Sequence, residues 1–444
     1  MKLLIKLSFL LIIIPAICVA QDKEEDDYYE DNYLRYSDFI YKDNIKTVEF
    51  EMRDVNVSLP IIMLRSGQQL QLSFDDLDGG YKSYSYTVFH CDRDWNPSDI
   101  SFMDYVDGYN EDLIYNEDYS FNTNQLYTHY SFVFPRETMQ LKISGNYVLY
   151  VFEDGDRENP VITRRFRVYE QLVAINAEVR RPAVAAERYS HHSLKISVNY
   201  EDYQLQNPLR NVSLYAYQNQ RWDNSYENLK PVFLREKELV YDQMDGVVFN
   251  GGNEFRWLDI RSLRYQPENV DRVYQDRDSS MTHVFMLPDV ERRSQRYRTE
   301  TDLDGRFDIS IQEGNDGRVE SDYAIVHFKL ASDTMLDSAS VYLFGGLTDW
   351  RYQSRYRMDY NRRGNAYELS AYVKQGYYNY QYMVVPDKLE SRTREKGGIG
   401  QTFEFEGDFY QTEQIYTLFL YESPMGARYD RLIGYTKINS SRLN

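Results

Sequence analysis

Hydrophobic and polar positions alternate with a period of two along most of this chain. Gln69-Leu70-Gln71-Leu72-Ser73-Phe74 is the cleanest case, and the Asp78-Gly79-Gly80 turn leads on to a second apolar run, Tyr84 to Cys91. Successive side chains on a strand point to opposite faces, so the pattern predicts half-buried β-strands joined by tight turns. Tyr130, Phe132 and Phe134 share one face of a strand that Pro135 ends. Tyr147 to Phe152 and Arg164 to Tyr169 complete a run of short strands with the spacing of a β-sandwich.

The same period continues downstream. Leu194, Ile196, Val198 and Tyr200 alternate, then Val212, Leu214 and Ala216, then Phe255, Trp257 and Asp259, and then His283, Phe285 and Leu287. Val326, Phe328 and Leu330 follow, then Tyr378, Tyr380, Tyr382 and Val384, and last Ile415, Thr417, Phe419 and Tyr421. No long helical periodicity interrupts them. The chain is expected to be all-β, built of tandem immunoglobulin-like β-sandwich domains at 45–170, 171–318 and 319–424. A tail over 425–444 carries no firm pattern.

The amino-terminal region reads differently. Lys2 and Lys6, the apolar run Leu7 to Ile14 and Cys18-Val19-Ala20 have the layout of a cleaved secretory signal, with the cut expected after Ala20. Residues 21–44 are acidic and Tyr-rich without apolar periodicity, and are expected to form a flexible arm. An outer-membrane barrel is not expected, because the turns are irregular and charge is spread through the strands.

Composition narrows the function classes. A formal charge of −19 over 444 residues repels phosphate backbones, so nucleic acid is not an expected partner. The basic runs Arg180-Arg181 and Arg292, Arg293, Arg296 and Arg298 are expected to be solvated faces. Tyr is unusually frequent at 43 residues against 4 Trp, which suits pleated surfaces and interfaces. Of 2 Cys, one lies in the signal, so Cys91 has no disulfide partner.

No constellation of residues points to chemistry. His191-His192 and His90-Cys91 are adjacent on strands, so each pair faces opposite ways. No nucleophile motif, phosphate loop or zinc spacing occurs, and no catalytic, metal or cofactor site is expected. What remains is a binding surface. It is expected in the aromatic stretch from Tyr84 to Tyr130, with Trp95, Tyr105 and Tyr109, and at Trp350, as the candidate partner-binding residues.

Two family resemblances extend this reading. Phe344-Gly345-Gly346-Leu347-Thr348-Asp349-Trp350, followed by Gly364 to Pro386, resembles the glycogen-binding module of starch-active enzymes, an early-set immunoglobulin-like sandwich. That module implies sugar stacking on two Trp, but no Trp follows the second strand here. Trp350 is therefore expected to pack or touch protein, and an exported carbohydrate-binding protein is the alternative function. The second resemblance rests on Cys91…Trp95, Asp104-Tyr105…Gly108-Tyr109, Asp118-Tyr119…Asn122-Thr123, Tyr127…His129-Tyr130, Ser144-Gly145-Asn146-Tyr147 and Asn253 to Trp257. In this order they are similar to the plug protein of the type IX secretion system. The resemblance implies a non-catalytic periplasmic protein, peripheral to the outer membrane. It would bind the periplasmic opening of a large β-barrel translocon and seal its pore when no substrate is present.

Overall fold

The structure is a computed structural model that describes residues 33–241, 246–278, 280–387 and 400–443. The signal and the first half of the arm expected over 21–44 lie outside these residues; the second half is not a free arm, since Phe39–Ile40 is a strand paired with Pro160–Tyr169. The described chain is nearly all β, arranged as tandem sandwiches. No described helix is long and apolar enough to cross a membrane.

In the first sandwich, one sheet runs in the order Phe39–Ile40, Pro160–Tyr169, Gly145–Glu153, Tyr84–Cys91, Asp112–Leu113. The facing sheet runs Ile45–Met52, Leu70–Asp76, Thr128–Phe134, Asn116–Tyr119. Leu70, Leu72 and Phe74 all point inward and meet Tyr84, Tyr86, Tyr130 and Phe132 in one buried cluster. Phe74 stacks on Tyr130 at 5.4 Å, and Tyr86 on Phe132 at 4.3 Å. Each fully buried ring contributes about 1.5–3 kcal/mol, so this aromatic core holds the sandwich without a disulfide.

Sheet membership does not follow the expected order of segments. Ile415–Glu422, expected as the last strand of the third sandwich, pairs along its length with Val212–Gln218 of the second. Arg431–Asn439, in the tail that carries no firm pattern, is a strand and pairs with it on the other side. Conversely, Arg256–Asp259 and Thr282–Met286, expected in the second sandwich, pair with Tyr377–Pro386 and Tyr323–Ala331 of the third. Alternation reports which face of a strand is buried and carries no information about its neighbour across the sheet. The third sandwich is thus a nine-stranded sheet folded over one core that contains Leu258, Val284, Val326 and Tyr382.

The first and third sandwiches are joined through buried polar groups. Asp75 is fully buried and accepts from Lys374 Nζ at 2.6 Å, Tyr323 hydroxyl at 2.7 Å and His129 Nδ1 at 2.8 Å. Burial works against this carboxylate, but Lys374 and His129 outweigh it and hold its pKa below the usual value. Beside this pair, Asp322 accepts from the backbone N–H groups of Asn124 and Gln125, and Phe121 N–H donates to Val319 O at 2.9 Å. Removing one partner of a buried ion pair leaves the other uncompensated, at about 3–5 kcal/mol. Lys374→Met is expected to lose that much stability in urea unfolding. The double variant Asp75→Asn with Lys374→Met should lose clearly less than the two single losses added together.

Candidate binding surface

The turn after the strand Tyr84–Cys91 is built by Asp92. Its carboxylate accepts from the N–H groups of Asp94 and Asn96, and Trp95 is left in the left-handed region at φ +68°. Trp350 is also left-handed, at φ +56°, directly after Asp349 at +53°. Non-glycine residues held at positive φ store strain, and such strain collects at functional sites. The fold brings these two Trp together. Both line a cleft of about 380 Å³ where the three sandwiches meet, along with Arg165, Trp222, Tyr217 and Arg351.

Several contacts tie the cleft together. Trp95 meets Trp222 edge to face at 5.5 Å, and the Arg165 guanidinium lies 4.4 Å from the Trp95 ring centroid and 4.9 Å from that of Trp222. Asp38 receives the Trp222 indole N–H at 3.0 Å and the Arg165 backbone N–H at 2.6 Å. The Trp350 indole meets Phe255 and Phe344 edge to face, and a Cβ on Gly305 would lie 2.4 Å from it. Its ring packs against its own protein at these contacts while also lining the cleft.

The other two candidates separate. Tyr105, expected at an interface, is buried: its hydroxyl donates to Val88 O at 3.2 Å and its ring packs on Phe102. It ends a helical turn, Phe102–Tyr105, that carries it into the core of its own sandwich. Tyr109 is 66% exposed. It is one of seven large apolar side chains exposed between residues 103 and 126, with Met103, Leu113, Tyr115, Tyr119, Phe121 and Leu126. Asn116–Tyr119 is an edge strand whose outer backbone groups face away from the sheet. Singly exposed apolar side chains are ordinary, but seven in so short a span make an apolar rim of the kind that marks interaction surfaces.

Sequence reasoning missed Arg165, Arg167 and Trp222. The available signal was the Arg164-Arg165-Phe166-Arg167 run, four residues with three cations inside an acidic chain's apolar strand. The remaining tempting groups are occupied. His90 is buried between Ser98 Oγ and Ser144 O, and burial pushes its pKa down to about 4. Cys91 is fully buried on the opposite face, and burial pushes its thiol up. His192 lies against Tyr416 hydroxyl and Tyr410 O, both at 2.7 Å. Gly145, at φ +145°, gives His90 room, since a Cβ there would lie 2.4 Å from the imidazole.

Three comparisons with known proteins follow from this geometry. Residues 45–170 match the family model for the first domain of the type 9 secretion system plug protein. The solved structure of a hypothetical protein from Parabacteroides merdae is 32% identical, with a TM-score of 0.86 over 92% of this chain and 100% of that one. No curated protein matches.

Trp350 also borders a second cleft, of about 160 Å³, that contains Glu49, Glu51 and Arg306. Burial and then the neighbouring Glu51 raise the Glu49 pKa to about 8; burial, opposed by Arg306, raises that of Glu51 to about 7. An acid whose pKa is higher folded than unfolded keeps its proton in the native state, so stability falls as pH rises between the two values. For Glu49 that window runs from 4.5 to about 8. Glu49→Gln is expected to melt above the parent at pH 9 and together with it at pH 4. Equal melting at both would show that Glu49 ionises freely in the folded protein.

Proposed function

This chain belongs to the type 9 secretion system plug protein family, and on that basis we propose that it is a non-catalytic periplasmic plug. It binds the periplasmic opening of the large outer-membrane β-barrel translocon and closes the pore when no substrate fills it. The observation that carries this reading is the family match over 45–170. The seven exposed apolar side chains lie within that same segment. A stopper has to cover a wide opening without deforming, and buried polar joints between sandwiches supply that rigidity. It also needs an extended surface rather than a deep pocket. The exposed rings of Tyr109, Tyr115, Tyr119 and Phe121 provide large contact area with polar tips.

The cluster around Trp95 and Trp350 has a different part in this proposal. It sets the angles between sandwiches and so the shape presented to the barrel, while the rim around Tyr109 makes contact. The net negative charge, −19, suits a basic rim on the partner and would speed encounter at low salt. The location that follows is the periplasm, at the inner face of the outer membrane.

The experiment is recovery of a barrel protein with the tagged chain from detergent-solubilised outer membranes of the native host. Replacing Tyr109, Tyr115 and Tyr119 together by Ser is expected to lower that recovery at least about tenfold with the melting temperature unchanged. Deleting the gene is expected to release a periplasmic reporter into the medium. An eluate without any barrel, together with a tight envelope in the deletion strain, would remove the plug reading.

A further inference from the structure

Below the central cleft lies a smaller cavity of about 40 Å³ between the first and second sandwiches. Three residues that line it each carry a buried polar atom without a hydrogen-bond partner: Trp95 Nε1, Arg167 Nη2 and Thr417 Oγ1. Trp95 and Arg167 are each 7% exposed and Thr417 is fully buried. Buried polar groups are almost always satisfied, and three orphans on one small cavity point to something that satisfies them together.

The chemistry of the orphans selects the ligand. An indole N–H and a guanidinium N–H only donate, and a Thr hydroxyl can donate. Arg165 lines the same cavity and brings a second guanidinium. Neither Arg forms an ion pair with a carboxylate among the described residues. Arg165 Nε donates to Tyr36 O at 2.7 Å, and Arg167 Nε to the Tyr421 hydroxyl at 3.2 Å. Aromatic faces surround the Arg167 charge, with Phe419 at 4.1 Å, Tyr217 at 4.9 Å, Trp95 at 5.0 Å and Trp222 at 5.1 Å. Ring faces attract the cation but accept little from its in-plane N–H groups. A water could accept from Trp95 and Arg167 and donate to Thr417, but it would leave the buried guanidinium charge without a counter-ion. An anion accepts from all of them and, together with the Asp38 carboxylate on the Arg165 backbone N–H, balances the two cations. The space admits one small sphere, since water occupies about 30 Å³ in the liquid.

We propose that this cavity is a binding site for a single halide-sized monovalent anion, chloride in the cell. It would be held by Trp95 and Arg167 of the first sandwich and Thr417 of the second. The ion then acts as a structural ligand that fastens one sandwich to the other at the level of the central cleft.

Crystals of the chain grown without halide and soaked in sodium bromide test the site directly. An anomalous bromine peak is expected within hydrogen-bonding reach of Trp95 Nε1, Arg167 Nη2 and Thr417 Oγ1. In solution, the melting temperature should climb with the logarithm of chloride concentration, at constant ionic strength made up with gluconate. The climb should vanish in Thr417→Val, which is nearly isosteric, and shrink in Trp95→Phe. Should Trp95→Phe fail to fold, Thr417→Val decides alone. A cavity without bromine, or a melting temperature that responds equally to gluconate, would overturn the proposal. So would a bromine peak without chloride-specific stabilisation, which would be an adventitious ion only.

Discussion

The Asp75 carboxylate is the constraint from which the arrangement of this molecule follows. A charge removed from water needs its hydrogen bonds supplied by the protein, and here they come from both sides of a domain joint. His129 belongs to the same sandwich as Asp75, while Lys374 and Tyr323 belong to the third. Separating the sandwiches would leave a carboxylate and an ammonium stranded in an apolar seam. Such a joint resists displacement in a directional way that an apolar contact does not, because hydrogen bonds weaken steeply once donor and acceptor lose their alignment.

The joint with the second sandwich uses the same idea with different groups. Arg167 crosses from the first sandwich to reach Tyr421, and Tyr421 hydroxyl donates in turn to Asn146 at 2.7 Å. Arg93 N–H donates to Asp430, and Arg93 Nη1 to Ser423 at 2.6 Å. Several of the elements that resemble the plug family take part in contacts of this kind. The Cys91-to-Trp95 turn and Asn146 face the second sandwich, and Tyr127 hydroxyl donates to Ser321 O of the third at 2.8 Å. Asn253 to Trp257 works within the third sandwich, where Arg256 is held between Glu406 and Asp289. These motifs supply fittings of a rigid multi-domain body and part of the surface that body presents. Of the exposed rings between Met103 and Leu126, Tyr109, Tyr119 and Phe121 lie within these motifs and Tyr115 lies between two of them.

That double use accounts for the outcome at the candidate residues. Trp95, Tyr105 and Trp350 are large rings beside turns, and nothing in their residue type tells a joint from a surface. The cleft that unites Trp95 with Trp350 requires two chain segments far apart in sequence. Its third wall, Trp222 and Tyr217, comes from another sandwich again. Tyr109 sits in the same aromatic stretch as Tyr105, yet Tyr105 ends the helical turn that dives inward while Tyr109 lies beyond it on the exposed rim.

By itself the sequence determined the strands and the class of fold. Alternation at Leu70, Leu72 and Phe74, or at Tyr130, Phe132 and Phe134, is a local property that any sandwich must satisfy to bury one face. The tertiary structure alone decided which strands share a sheet, so that Ile415–Glu422 returns to Val212–Gln218. It also decided which charges meet: Asp75 and Lys374 are 299 residues apart. The reason is physical. Burial of a face is enforced residue by residue, whereas pairing and charge compensation depend on surfaces that exist only once the chain has closed on itself.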